Sequence, residues 1–310
     1  MMSKPDRIIR KRKQLVFTRK CFVLLFCVAF LFCCLWGIAH LNGFWLVLVW
    51  IVLGLWSWSL VQVVFCKFFN PVVTPLMVHR CFQWLRNPQR RVRFSRFLVP
   101  IEDISPNLIG MADIGENGGL FYHCRGFMFD SLYYAYNHNK KSSILCGGST
   151  ISQQTAKNCF LPHSRTLLRK VVEAYYVLLI EMLWGKKRIM ECYLNIIEFG
   201  DGIYGCEAAS RHYFGHSANR LTDMEASLLI ATLPWPRTAN PHKRNPRYDH
   251  LASVIKQKYQ DYTPIAWNAR WEDLDIQKVE MCNRGLLFFV KWVMLNRIKE
   301  LTRKTNVEKT

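Results

Sequence analysis

The longest hydrophobic run in the chain begins at Cys21 and continues to about Phe65, with polar residues near its middle only around His40. One membrane-spanning helix needs about 20 apolar residues, so this run is too long for one span and fits two. We interpret 21–39 and 44–66 as two transmembrane helices, or as one such helix and one that lies in the membrane interface. No small-residue cleavage site follows an apolar core, so the pattern does not predict a removed signal peptide.

A basic tail, residues 1–20, precedes this run and contains one acid, Asp6. The positive-inside rule places such a tail in the cytoplasm, and two full spans would return the rest of the chain there. Arginines at six positions between 80 and 96, with no acid among them, favour the same side. The alternatives are an interfacial first segment, or an N-terminus that faces outward despite its charge.

After the membrane run the apolar pattern is mainly helical. Residues 165–192 carry apolar side chains at helical spacing over several turns, which predicts one long buried helix. Residues 222–233 begin with Thr222 and place Glu225 three positions later, the signature of a capping box. Alternating patterns typical of strands are scarce, so the predicted fold class is mainly α.

The predicted organisation follows these patterns. Two prolines just past the membrane run are expected to end its helix. A juxtamembrane region at 67–110 leads to a compact centre at 111–245, and a helical C-terminal extension occupies 246–310. Within the extension, 286–301 is compatible with an amphipathic helix that packs on the domain or on the membrane surface.

The net charge changes the picture of likely ligands. Lys and Arg total 42 against 22 Asp and Glu, a formal charge of +20. A charge of this size indicates an anionic partner such as nucleic acid, a membrane surface or a phosphorylated substrate. The twelve cysteines show no CxxC and no zinc spacing, so most are expected to be small buried hydrophobic residues.

Two acids are candidates for catalysis. Glu116 lies among Gly115, Gly118 and Gly119, which predicts a loop, and partial desolvation there would raise its pKa towards that of a general base. A solvated loop acid is the plainer interpretation. Glu173 lies in an apolar helical stretch, where an acid is costly to bury without a partner or a task, and Glu181 follows two turns later.

A polar segment, GGSTISQQTAKN at 147–158, combines flexible backbone with many neutral hydrogen-bonding groups, which suits a glycan cleft. It lacks the order of a nucleotide P-loop, and a helix N-cap with a polar first turn is compatible with the same residues. Four cations follow and could hold a diphosphate by charge-assisted hydrogen bonds, or form a solvated helix face: Lys157, Arg165, Arg169 and Lys170.

These motifs, taken in order, resemble those of the monofunctional biosynthetic peptidoglycan transglycosylases and of the glycosyltransferase module of class A penicillin-binding proteins. The resemblance runs from about Asn70 to Pro246. It rests on NPVVTPLMVHRCFQWL, GGSTISQQTAKN, RKVVEAYYVLLIE, ECYLNIIEFGDGIYGCEAASRHYFG and LTDMEASLLIATLPWPRTANP. The first family motif, E-D-x-x-F-x-x-H-x-G, is altered: Glu116 and His123 keep their spacing, Asn117 and Leu120 replace the Asp and the Phe, and Gly126 comes one place late.

The resemblance implies a lysozyme-like glycosyltransferase domain with a membrane-embedded jaw. It implies that lipid II and a growing lipid-linked glycan strand are joined with inversion at the donor, outside the inner membrane of a bacterium. Glu116 would be the base, and Glu173 would assist the leaving diphosphate or hold a divalent metal (Mg or Mn), with no covalent cofactor. Substrate would be bound by His123, Ser149, Thr150, Gln153, Gln154, Lys157, Asn158, Arg165, Arg169 and Lys170.

The implied partners are the two lipid-linked substrates and the membrane. Other cell-wall synthesis proteins are compatible with the resemblance, and nucleic acid is not an expected partner. The family has a lysine directly before the second acid, and this chain has Val172 there, so the expected cationic site has one positive charge fewer. Two alternatives stay open: a lysozyme-type enzyme that cleaves peptidoglycan, and a membrane scaffold whose altered first motif has disabled the base. A fused transpeptidase is not expected, because no KTG follows the SxxK at Ser253 and only about 55 residues come after it.

Overall fold

The computed structural model describes residues 28–32, 43–86, 94–141, 147–164, 166–264 and short stretches from there to residue 282. The chain divides into two compact units, Met1–Val64 and Phe65–Thr310. The predicted helix at 286–301 lies outside the described residues, as does most of the first predicted membrane segment, of which 28–32 is helical.

One helix is long and apolar enough to cross a membrane, among the residues described. Helix α1, Phe44–Phe68, has 25 residues, and only 6% of its most apolar window is buried. At 1.5 Å per residue it extends over roughly 37 Å, more than the roughly 30 Å of a bilayer's hydrocarbon core. The predicted second segment, 44–66, therefore forms a helix with the length and surface that a span requires.

The chain turns directly after α1, as the two prolines predicted. Helix α2, Pro75–Leu85, starts with a proline in its first turn and with Thr74 as its N-cap, whose hydroxyl accepts the Met77 N–H. Arg80 of α2 forms an ion pair of 2.8 Å with the buried Glu198. These contacts fix α2 against the helical centre of the second unit, Phe65–Thr310.

The second unit is mainly helical, which confirms the predicted fold class. Its further helices are α3 Pro106–Asn117, α4 Phe129–Lys141, α5 Ile151–Phe160, α6 Leu167–Leu183, α7 Lys186–Ile196, α8 Cys206–Phe214, α9 Asp223–Thr232 and α10 Pro246–Gln260. Helix α5 packs against α6 and α7, and α9 packs against α3 and α10. Phe160 and Tyr176 stack at 4.6 Å between ring centroids, joining α5 to α6.

A small three-stranded sheet closes one side of this unit. Strand β3, Ile203–Tyr204, lies between β1, Ser95–Arg96, which is parallel to it, and β2, Glu198–Gly200, which is antiparallel. The sheet brings the segment that follows α2 against the centre of the unit.

The prediction of one helix over 165–192 is wrong in one respect. The structure has two helices, α6 and α7, which are separated at Trp184 and Gly185. The break is stabilised by Lys186, whose ammonium binds Glu181 at 2.7 Å and the Cys124 carbonyl at 2.8 Å. By contrast, α9 begins as predicted, with Thr222 and Glu225 forming a capping box.

Candidate active site

Glu116 lies in the last turn of α3, so the prediction of a loop acid is wrong. The two neighbouring glycines are required for different reasons. A Cβ at Gly115 would lie 2.6 Å from Ile230 Cγ2, so this glycine permits close packing of α3 on α9. Gly118 has φ of +61° and ends the helix in the left-handed conformation that favours glycine.

The Glu116 carboxylate is partly enclosed, and its one hydrogen-bond partner among the described side chains is the Gln154 amide, which donates to Oε2. Burial raises the pKa of Glu116, while the Gln154 hydrogen bond and the positive charge of Lys157 oppose the rise. Glu116 is thus not a solvated surface acid. A carboxylate with a raised pKa and a neutral partner is suited to accept a proton.

Helix α5 is positioned by a capping box at its first turn. The Thr150 hydroxyl accepts the Gln153 N–H at 3.2 Å, the Gln153 side chain accepts the Thr150 N–H at 3.0 Å, and Thr150 also donates to the Gly126 carbonyl at 2.6 Å. Both side chains are buried. Thr150 and Gln153 therefore hold the helix that presents Gln154 and Lys157.

Asn117 connects the end of α3 to the start of α5. Its carbonyl oxygen accepts the Ile151 N–H at 2.9 Å, and its amide group donates to Cys124 Sγ at 3.3 Å. The residue that departs from the expected motif thus uses both its side-chain oxygen and its side-chain nitrogen in hydrogen bonds, next to Glu116. Sequence reasoning singled out this position only as a departure, because the acceptor contact joins residues 34 apart in the chain.

Asp113, one turn before Glu116, holds the segment that follows α3. It accepts the Phe121 N–H and the Tyr262 hydroxyl, each at 2.9 Å. Burial raises the pKa of Asp113 to about 6, although these two hydrogen bonds act to lower it. Nothing in the sequence marked this residue, because its partners lie in a turn and beyond the last central helix.

Glu173 has a cationic environment, unlike Glu116. It is 1% exposed and pairs with Arg169 at 2.5 Å and with Lys170. Lys170 also donates to the Ser149 hydroxyl at 3.4 Å, which joins the polar segment to this cluster. Burial lowers the pKa of Lys157; the negative charge of Glu173 opposes this, and Arg169 and Lys170 reinforce it.

The remaining predicted residues are placed as follows. His123 and Asn158 are buried, and Arg165 lies outside the described residues. Glu181 accepts a hydrogen bond from the Ser152 hydroxyl at 2.5 Å and pairs with Lys186. The structure therefore brings Glu116, Gln154, Lys157 and the Glu173 cluster together on α3, α5 and α6.

Comparison with known proteins agrees with this arrangement. The model of the transglycosylase family matches residues 85–260. Two proteins named biosynthetic peptidoglycan transglycosylase are similar to the chain. That of Caulobacter vibrioides is 47% identical over 57% of this chain and 73% of its own length, and that of Aeromonas hydrophila is 46% identical over 68% and 88%.

Proposed function

The chain belongs to the transglycosylase family and is a peptidoglycan glycosyltransferase, and from this premise we propose that it polymerises lipid II with Glu116 as the general base. The acceptor sugar's 4-hydroxyl oxygen attacks the anomeric carbon of the lipid-linked donor strand. Its proton goes to the Glu116 carboxylate while the bond from that carbon to the diphosphate oxygen breaks. Configuration is inverted, and polyprenyl diphosphate leaves.

The observation that carries this proposal is the environment of Glu116. It is partly buried, its pKa is raised by that burial, and it keeps a neutral hydrogen-bond donor, Gln154, instead of a direct cationic partner. General-base catalysis works best when the base has a pKa near the working pH. A tight ion pair would have lowered the pKa and made the carboxylate a poorer base.

The cationic cluster supports the assignment of the leaving group. Lys157, Arg169 and Lys170 stand near the buried Glu173, and Lys157 also interacts with Glu116, so the three cations exceed the two acids by one. A diphosphate that gains charge as its bond to sugar breaks would be stabilised by this excess. We propose that Glu173 orders the cations, since its two oxygens are engaged by Arg169 and Lys170.

A divalent metal at Glu173 does not fit these contacts. Both carboxylate oxygens already pair with cations, and no group of three or more His, Cys, Asp or Glu side chains in the described part of the chain could hold an ion.

We further propose that the second unit, Phe65–Thr310, is the catalytic unit and works on the extracytoplasmic side of the inner membrane, anchored by α1. Peptidoglycan synthesis takes place at the cell envelope, and the length and exposed apolar surface of α1 support anchoring. Exposed apolar side chains on α2 and α6, such as Phe82 and Leu167, support contact of this unit with lipid.

Incubation of the purified full-length chain with labelled lipid II tests the proposed function. Long glycan strands and released polyprenyl diphosphate are expected. Soluble short fragments from preformed peptidoglycan would instead identify a lysozyme-type enzyme, and no turnover of either substrate would identify a scaffold.

A further inference from the structure

Two buried cysteines lie side by side where α5 packs on α7. Cys159 is in the last turn of α5, Cys192 is near the middle of α7, and their sulfur atoms are 3.5 Å apart. Both are free thiols in the structure. No local motif marks them as a pair, because 33 positions separate them in the chain, and the mechanism above uses neither.

A third thiol, Cys66, is close enough to interact electrostatically with both of them. It lies in the last turn of α1, and its carbonyl accepts two hydrogen bonds from the Arg188 guanidinium, at 2.8 and 3.2 Å. The three thiols do not form a metal site, since no such group of side chains in the described part of the chain could hold an ion. Two thiols in contact can instead be oxidised to a disulfide.

Two arginines flank the pair. Arg188 acts on Cys159 through its positive charge, and Arg96 of β1 interacts with both Cys159 and Cys192. Two nitrogens of the Arg96 guanidinium, Nε and Nη2, are buried and have no hydrogen-bond partner among the described residues. A thiolate beside these groups is stabilised by their charge, which favours thiol–disulfide exchange at this place.

Burial opposes that exchange once the chain has folded. It is the main cause that raises the pKa of Cys159, and the contact with Cys192 adds to the rise, while the charge of Arg188 opposes it. Cys159 is 8% exposed and Cys192 is fully buried. We therefore expect oxidation while the chain folds, with Cys159 reacting first, and slow reduction of the bond afterwards.

We propose that Cys159 and Cys192 are oxidised to a disulfide that joins α5 to α7, an inference that rests on the proposed extracytoplasmic side. Disulfides form and persist in that compartment, whereas cytoplasmic thiols are kept reduced. The oxidant is a second disulfide, carried by a protein or a small molecule. The Cys159 thiolate attacks one of its sulfurs and displaces a thiolate. The Cys192 thiolate then attacks Cys159 Sγ in the mixed disulfide and displaces the other, so the oxidant leaves as two thiols with the two electrons and two protons that the cysteines lose.

The bond secures the end of the helix that presents the site residues. The first turn of α5 is already held by its capping box and by the Asn117 contact with Ile151. Cys159 comes two positions after Lys157, at the other end of the helix. A cross-link between residues 33 apart also restricts the unfolded chain, which stabilises the folded state.

The experiment maps the bond in the full-length chain as cells make it. Cells are quenched with acid, free thiols are blocked with N-ethylmaleimide under denaturing conditions, and the chain is digested without reductant. Trypsin and a glutamate-specific protease together separate Cys192 from Cys206, because Glu198 lies between them. Mass spectrometry should find the peptide with Cys159 joined to the peptide with Cys192, two hydrogens lighter than the free pair. A cross-link from either of them to Cys66 would overturn the assignment.

A second bacterial strain, which lacks the reductases that keep cytoplasmic thiols reduced, separates the bond from the topology. Formation of the bond in both strains supports the proposal. Formation only in the second strain would support the pair and contradict the extracytoplasmic placement. Blocked thiols at both positions in both strains would overturn the pair itself.

Thermal unfolding of the purified chain, with and without a phosphine reductant, measures what the bond contributes. Reduction should lower the Tm of the parent by roughly 5–15 °C. Cys206→Ala is the matched control, because Cys206 is buried in α8 and no other described thiol acts on it, and it should show the same shift. Folded Cys159→Ala and Cys192→Ala should not respond to the reductant. A parental response in both pair variants would show that the shift has another source and would overturn the proposal.

Discussion

Two carboxylates of this site differ in what holds them. Glu116 receives a hydrogen bond from a neutral amide, whereas Glu173 is neutralised by Arg169 and Lys170. Residue type alone would make these acids equivalent. Their partners support the proposed division of roles, in which Glu116 accepts a proton and Glu173 orders cations.

Lys157 is the cation whose charge interacts with both acids. Replacement by Ala should weaken engagement of the donor diphosphate, because a charge-assisted hydrogen bond is worth about 1.5–3 kcal/mol. We expect a loss of roughly tenfold to hundredfold in kcat/KM for lipid II. The control is Lys258→Ala at the exposed end of α10, and equal rates for both variants would mean that Lys157 is only part of a basic helix face.

Asp113 predicts a pH dependence of stability. Its pKa in the folded chain is about 6, above the ordinary value of about 3.9. Between these values the folded state binds more protons, so Asp113 contributes less to the free energy of unfolding as pH rises from about 4 to 6. Asp113→Asn keeps an acceptor for the Phe121 N–H. It removes the decrease in the free energy of unfolding that titration of Asp113 causes.

The stability of Asp113→Asn relative to the parent should therefore increase as pH rises through that window. Urea unfolding at pH 4, 5, 6 and 7 measures it. A difference between the two proteins that is constant with pH would contradict the raised pKa.

At the scale of the elements, the sequence predicted helices where a local signal was present. The α9 capping box and the helix end before Pro71 were both correct, because each depends on residues within a few positions. The break between α6 and α7 was missed, since it depends on Lys186 reaching the Cys124 carbonyl, 62 residues earlier in the chain.

The loop prediction for Glu116 failed for a related reason. Gly115 was interpreted as a local helix breaker, but it is required by contact with Ile230 on another helix. The identity of the acid, of Gln154 and of the cations could be predicted from their motifs. The helix N-cap at Thr150 was also compatible with the sequence, because its partner Gln153 is three residues away. The hydrogen bonds of Asn117 with Ile151 and of Thr150 with Gly126 could not be predicted, because each joins residues far apart in the chain.

Thr150 tests how strongly the position of α5 depends on its cap. Thr150→Ala removes an N-cap and the hydrogen bond to the Gly126 carbonyl, and should lower the free energy of unfolding by about 1–3 kcal/mol. Thr150→Ser retains the hydroxyl and should recover most of the loss. Equal destabilisation by both changes in denaturant unfolding would show that the methyl group, and not the cap, is what matters.

At the scale of the whole molecule, apolar surface is concentrated on particular helices. Helix α1 exposes much of its length, and in the catalytic unit α2 exposes Phe82 and Leu85 while α6 exposes Leu167 and Leu168. Contiguous exposed apolar surface indicates contact with a membrane or a partner. The cations on α5 and α6 that we propose to bind diphosphate are thus close in sequence to the surface proposed to meet lipid.

The proposed topology is tested by labelling intact cells with a membrane-impermeant maleimide. Lys258→Cys, in a chain whose exposed Cys81 is replaced by Ser, should react from outside, because the catalytic unit is placed on the extracytoplasmic side. The Cys81→Ser chain without the new cysteine is the control. Reaction only after the inner membrane is permeabilised would place the unit in the cytoplasm and contradict the proposed substrate access.

The central claim is that Glu116 accepts the proton in lipid II polymerisation. Glu116→Gln keeps the shape and the contact with Gln154 but removes the basic oxygen, so the polymerisation rate should fall by at least about a hundredfold. Lipid II binding and thermal unfolding should stay close to parental, because the phosphate contacts lie elsewhere. Polymerisation at near-parental rate by folded Glu116→Gln would show that another group is the base and would contradict the mechanism.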